Sequence, residues 1–97
     1  MSDIEVKNNP LHHRYEALVD GKVAGFAVYG ITDSAIVFLH TEVGDEYAGQ
    51  GVGGALARGA LDDVRADGRR DVVPLCPFIK GWIEKHPDYQ DLVHKKN

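Results

Sequence analysis

A chain of 97 residues fits one domain, taken here as residues 1–97, and leaves a usable core with a modest stability margin. Its apolar share of 43 % and charged share of 27 % are ordinary for a soluble globular protein, and its formal net charge of −4 speaks against a nucleic-acid partner without excluding an anionic ligand held by backbone dipoles. Cys76 is the one cysteine, which excludes an internal disulfide; the first ten residues carry no apolar signal core, and no run approaches the roughly 20 apolar residues that span a bilayer, so a soluble, cytoplasmic chain with no membrane partner is expected.

Residues 4–7 make a short, weak strand, and Asn8-Asn9-Pro10 is turn chemistry. Residues 14–19 alternate as a second strand, with Tyr15, Ala17 and Val19 on one face and Arg14, Glu16 and Leu18 on the other. Asp20-Gly21 is a hairpin signal. It leads into a third strand at residues 22–29, whose apolar members are Val23, Phe26 and Val28. After a turn at residues 30–33, the fourth strand covers residues 34–43. Its continuous run Ile36-Val37-Phe38-Leu39 predicts burial on both faces. A glycine-rich stretch at residues 44–54 follows, then a helix over residues 51–66 on the spacing of Val52, Ala55, Leu56, Gly59, Ala60 and Val64, closed by Gly68. Residues 71–76 form a fifth strand. Pro77 opens a second helix that carries Phe78, Ile79, Trp82 and Ile83 and stops before Pro87. One more turn is expected at residues 88–93, with a fraying tail at Lys95, Lys96 and Asn97. The fold class is therefore α/β (α+β): a mixed, mostly antiparallel five-stranded sheet. Its fourth strand, first helix and fifth strand form a parallel crossover, and two main helices pack on it.

The run Gly49-Gln50-Gly51-Val52-Gly53-Gly54 lies between a buried strand and a helix start. Glycines let backbone N–H groups approach a ligand, and the helix start adds unpaired donors and the positive end of its dipole; together these suit a phosphate or pyrophosphate. The plainer reading is a flexible turn with close helix packing. Gly53, Gly54 and Gly59 each weaken a helix by roughly 1 kcal/mol relative to alanine, so something must offset them. A Rossmann fingerprint fits poorly, because it needs its glycines after the first strand of a βαβ unit, whereas this loop follows a meander. A P-loop is excluded, since Ala55-Leu56 stands where Lys-Ser/Thr is required.

Residues 39–56 resemble the acetyl-coenzyme A motif of the GNAT acetyltransferase superfamily, an Arg/Gln-x-x-Gly-x-Gly/Ala core opening a helix behind a strand-terminal valine, here Val43. One position departs from it: Ala48 stands where the family carries Arg or Gln, which leaves phosphate contacts to the backbone of residues 49–54, with Gln50 as the substitute side chain. The set His40-Thr41-Glu42-Val43, Cys76-Pro77-Phe78-Ile79, Trp82-Ile83 and His86-Pro87-Asp88-Tyr89 resembles the short, single-domain YjdJ-type branch. The resemblance implies acetyl-coenzyme A as co-substrate, in a fork where the fourth and fifth strands splay. The pantetheine would lie on the open edge at Thr41 and Val43, and the pyrophosphate on Gly49, Gln50, Gly51, Val52, Gly53 and Gly54.

Three reactive side chains fall near that fork. Glu42 could take a proton from an attacking amine, a role that partial burial would favour; the alternative is a solvated strand-end carboxylate. His40 could do the same, or be a hydrogen-bonded core histidine. Cys76 could attack the thioester, reprotonate the departing thiolate, or be a small buried apolar residue. His12-His13 reads as an exposed strand start, His86-Pro87 as a turn, Trp82 and Phe78 as core and Asp62-Asp63 as a solvated helix face; no metal site is expected. The leading function is an acetyl-coenzyme A-dependent N-acetyltransferase acting on an unidentified amine acceptor, a small molecule or a protein. The alternatives are a non-catalytic acyl-coenzyme A-binding module and a phosphate-binding interaction domain. With only residues 8–13 joining the first two strands, the acceptor site should be open. A monomer or weak homodimer is expected.

Overall fold

A computed structural model describes residues 3–93. β1 (Ile4–Asn9), β2 (Arg14–Val19), β3 (Lys22–Ile31) and β4 (Ala35–Val43) form an antiparallel meander, and β5 (Asp71–Pro74) joins β4 in parallel. The sheet order is that of the sequence. α1 (Val52–Asp67) connects β4 to β5, α2 (Pro77–Glu84) follows, and 3-10 turns occupy Pro10–His12, Asp45–Tyr47 and Pro87–Leu92. The mixed sheet, the parallel β4–α1–β5 unit and the two main helices are as the sequence predicts. The tail at Lys95, Lys96 and Asn97 lies outside the described residues.

Boundaries differ where pairing overrides turn chemistry. Asn8 and Asn9 belong to β1 because Tyr15 and Arg14 pair with them, so the turn begins only at Pro10. β3 runs on through Gly30 and Ile31 against Val37 and Ile36, and the turn tightens instead at Thr32, whose N–H bonds the Ala35 carbonyl. β5 stops at Pro74 rather than Cys76.

The core lies between α1 and one face of the sheet. Val52, Leu56, Ala57, Ala60, Leu61 and Val64 form the buried stripe of α1. Tyr15, Ala17, Ala27, Tyr29, Ile36 and Phe38 meet it from the strands. The buried side of β3 is therefore its alanine and tyrosine side. Val23, Phe26 and Val28, the apolar residues most visible in the sequence, point the other way, and Val23 is 46 % exposed. β4 is likewise covered on one face only: Ile36 and Phe38 are buried while Leu39 is 48 % exposed. Its apolar run reflects an uncovered second face, not burial on both.

Gly59 marks where α1 crosses β1. A Cβ there would stand 2.7 Å from Val6 Cβ and within 2.9 Å of both its methyls, so a helix-weakening glycine is the condition for close packing. Gly59→Ala should destabilise: overpacking costs about 1–3 kcal/mol and only about 1 kcal/mol returns as helix propensity. Thermal denaturation checks this, and a melting temperature above that of the parent would contradict the close contact.

Asp62 and Asp63 are not merely a solvated face. Asp63 accepts the Tyr15 hydroxyl at 2.6 Å and Asp62 accepts the Tyr89 hydroxyl at 2.6 Å, tying α1 to β2 and to the C-terminal turn. Burial first, and then the Asp63 carboxylate, push the Tyr15 phenol far above its ordinary 10.0. Burial also raises Tyr29, although its bond to Asn8 pulls the other way, and the bond to Asp62 raises Tyr89. Above pH 10 the unfolded chain releases these protons while the folded chain keeps them. The stability they contribute is thus complete below that pH and is lost as pH rises toward their folded values. Tyr15→Phe should flatten the alkaline fall by about one proton in urea titrations between about pH 9 and 11. An unchanged slope would rule out the Tyr15 share.

Candidate functional site

β4 and β5 pair only over four residues, Ala35 to Phe38 against Asp71 to Pro74. Pro74 has no N–H to extend the ladder, and the last link is Cys76 N–H to the Phe38 carbonyl at 2.9 Å. The chain then turns into α2, with Pro77 in its first turn. Directly beyond the last link, β4 carries an irregularity: Tyr29 faces Phe38 but Val28 faces His40, so Leu39 is an extra residue. Past it, Gly44 N–H bonds the Ala24 carbonyl on the β3 side at 2.8 Å. Strand alternation then turns the backbone groups of Thr41 and Val43 to the opposite edge, the one β5 has left. The two strands form a fork with an open β4 edge.

From the end of that edge the chain makes the 3-10 turn Asp45–Tyr47 and enters the glycine loop. Gly49 and Gly51 both have φ of 79°, where side-chain residues are strained, and a Cβ on either would meet nothing within 4 Å. Ala48 N–H bonds the Asp45 carbonyl and Gln50 N–H the Tyr47 carbonyl; the next intrahelical bond is Ala55 N–H to the Gly51 carbonyl. Gly51, Val52, Gly53 and Gly54 thus present four successive backbone N–H groups with no bond among the described residues. Gly51 makes no side-chain cap, and the first turn of α1 has no acidic residue. This is the positive end of a 16-residue helix dipole left open at the tip of the fork. Val52 itself is buried and anchors the turn.

The helical glycines have different reasons. A Cβ at Gly53 would stand 2.9 Å from the Phe78 ring, so Gly53 lets α2 lie against the start of α1. At Gly54 the nearest atom, Trp82 Nε1, is at an ordinary 3.8 Å. Packing inside the chain does not demand a glycine there. Phe78 is 43 % exposed, so it is not the core residue the sequence suggested, whereas Trp82 is half-buried and packs against the core. Trp82 stacks at 3.7 Å on His86, whose Nδ1 lies 2.7 Å from the Trp82 carbonyl.

The reactive side chains divide across β4. Cys76 is buried at the start of α2, with Sγ 3.2 Å from Thr41 Oγ1 inside the fork. His40 and Glu42 share a face, as predicted, and their side chains meet at 3.3 Å. That face is opposite to Thr41, and both side chains are 59 % exposed. Glu42 therefore lacks the partial burial expected of it, and His40 is not a core histidine. The cause is the extra residue at Leu39, which resets the alternation of the strand. Gln50 turns its side chain to the Glu46 carbonyl at 3.3 Å and stays exposed.

A cavity of 470 Å³ opens beside the end of β4, lined by Val23, Phe26, Glu42, Val43, Gly44 and Asp45 among others. Neither Asp45 nor Val23 was expected at the site from the sequence. Asp45 adjoins the site as the second residue after β4, whereas Val23 arrives only through the β3–β4 register, which no local pattern announces. Among the described residues no three His, Cys, Asp or Glu side chains converge as a metal cluster.

A family model for the GCN5-related N-acetyl-transferases matches residues 14–92. The fold superposes on the solution NMR structure of a GCN5-like candidate N-acetyltransferase from Staphylococcus aureus, with a TM-score of 0.70 and 27 % sequence identity. The match covers 100 % of this chain and 94 % of that one. No curated protein matches the sequence.

Proposed function

Since this chain belongs to the GCN5-related N-acetyltransferase family, we propose that it moves the acetyl group of acetyl-coenzyme A onto an amine. The observation that carries this reading is the line of unbonded donors from the open edge of β4 to the amides of residues 51–54. An extended amide-bearing chain can add to the first as an extra strand, and a diphosphate suits the second. In the reaction the amine nitrogen bonds to the thioester carbonyl carbon and the carbon–sulfur bond breaks; one proton leaves nitrogen and one joins sulfur.

The chain's own groups divide this work. The backbone N–H of Thr41, on the open edge of β4, polarises the carbonyl oxygen. The Cys76 thiol, held against Thr41, supplies the proton to the departing sulfur. His40, braced by Glu42 on the other face of β4, takes the proton from nitrogen directly or through water. Cys76→Ala should lower kcat about ten- to a hundredfold at pH 7. The loss should shrink at higher pH, because a thiolate leaves unprotonated above a thiol pKa of about 8.5. An unchanged rate and pH profile would remove Cys76 from the chemistry.

One observation favours a second reading, a non-catalytic acyl-coenzyme A-binding module: Cys76 and the His40–Glu42 pair project to opposite faces of β4. Coenzyme release measured with a panel of amines separates the two. Binding without turnover, insensitive to Cys76→Ala and Glu42→Gln, would establish the module and end the enzyme reading. In an NMR titration with coenzyme A, shifts should concentrate at residues 41–56 and Cys76. Shifts elsewhere, or equal competition by free phosphate, would overturn both.

A further inference from the structure

The sheet has a second face that no helix of the described residues covers. Strand alternation and pairing put Leu18, Val23, Phe26, Val28, Val37 and Leu39 on it, across β2, β3 and β4. A solvated antiparallel face ordinarily turns polar side chains to water. Here its centre is apolar, which marks an interaction surface. The charged residues on β1, β2 and β4 pair within the chain, and on β2 the Arg14 guanidinium lies 4.6 Å over the Phe26 ring, beside the apolar centre. Lys7 meets Glu5 at 3.7 Å, Arg14 meets Glu16 at 2.8 Å, and His40 meets Glu42 at 3.3 Å. Glu16 shows how complete this is: burial works against its ionisation, yet the bonds from Arg14 and Asn9 outweigh it and hold the carboxyl below its ordinary range.

With Lys7–Glu5 and Arg14–Glu16 cancelling and Glu42 held by a histidine, such a face offers at most a weak field to a nucleic acid or to a charged peptide. Its electrostatic complement is another neutral face with an apolar centre, and the chain itself carries one. Five strands about 4.8 Å apart and about seven residues long, rising about 3.3 Å each, span on the order of 550 Å². Two copies face to face would bury about 1,100 Å², just past the roughly 1,000 Å² of a specific interface and short of the roughly 1,600 Å² of a tight one. We propose that this face is a two-fold interface with a second copy of the chain, reversible in the micromolar to millimolar range. The His40–Glu42 pair lies at its border, so the partner copy would form one rim of the open side of the fork.

The test is sedimentation equilibrium on the full chain between about 10 μM and 1 mM. The mean mass should rise from 10.6 kDa toward twice that value. Val28→Lys and Val37→Lys should each abolish the rise while keeping the parent's dispersed amide spectrum. Leu11→Ser, at a residue 90 % exposed and outside the sheet, should leave it unchanged. In the unsubstituted chain, concentration-dependent amide shifts should fall on β3 and β4, a readout that needs no variant. A constant mass of 10.6 kDa up to 1 mM, association that survives both lysines, or shifts confined to another surface would each overturn the proposal.

Discussion

Phe38→Ala should cut the domain's stability by about 3–5 kcal/mol and lower its melting temperature by roughly 15 °C or more. Phe38 is the largest fully buried side chain, at 0 % exposure in the central part of the sheet. Its ring packs 6.2 Å from that of Tyr15 and 6.4 Å from that of Tyr29, and α1 closes over all three. Truncation removes apolar contacts and leaves a cavity that rigid strands on both sides cannot fill. A domain of this size has on the order of 5–15 kcal/mol in total, so about a fifth or more of its stability is at stake. Phe38→Leu keeps most of the volume and should cost less than about 1.5 kcal/mol. Urea unfolding of both variants checks the ordering. A Phe38→Ala loss below about 1 kcal/mol would mean that the core is centred elsewhere. The same residue bounds the fork, since its carbonyl makes the last β4–β5 link, so both variants also report whether the core sets the angle of that opening.

Gly54→Glu should move stability and coenzyme binding in opposite directions. Gly54 is the third residue of α1, where there is room for a Cβ and where a glutamate favours the helix start. Replacing glycine returns about 1 kcal/mol of helix propensity, and a carboxylate near the positive helix end adds about 0.3–1 kcal/mol. The same carboxylate would stand among the open amides of residues 51–54 and repel a bound diphosphate. A repulsion of about 1.4–2.8 kcal/mol weakens acetyl-coenzyme A by about ten- to a hundredfold. Calorimetric titration and thermal denaturation of one variant read both effects. Equal coenzyme affinity with raised stability would show that the diphosphate does not sit on α1, and would leave the helix-start account intact.

Local pattern was enough for the elements and for the loop. Alternation at Tyr15, Ala17 and Val19, the Asp20-Gly21 turn, the buried stripe of α1 and Pro77 at the start of α2 are short-range signals, each decided by neighbours within a turn or a strand. The glycine run was legible for the same reason, because positive φ and unbonded helix-start amides are properties of the backbone itself. The division of the reactive residues was not legible. His40 and Glu42 part from Cys76 because of the extra residue at Leu39, and that residue is visible only against Val28 and Tyr29 on β3. Nor could composition distinguish an apolar strand buried on both faces from one with a bare second face.

The chain's sequence by itself determined which segments are strands and helices, and that α1 begins in a glycine run with exposed backbone amides. Hydrogen-bond geometry and side-chain period are local, so they are written in consecutive residues. The tertiary structure alone decided that β5 leaves β4 at Phe38, that Thr41 faces Cys76, that Gly53 and Gly59 serve Phe78 and Val6, and that one face of the sheet stays open. Those outcomes depend on contacts between segments far apart in the chain, whose register and packing no single stretch encodes.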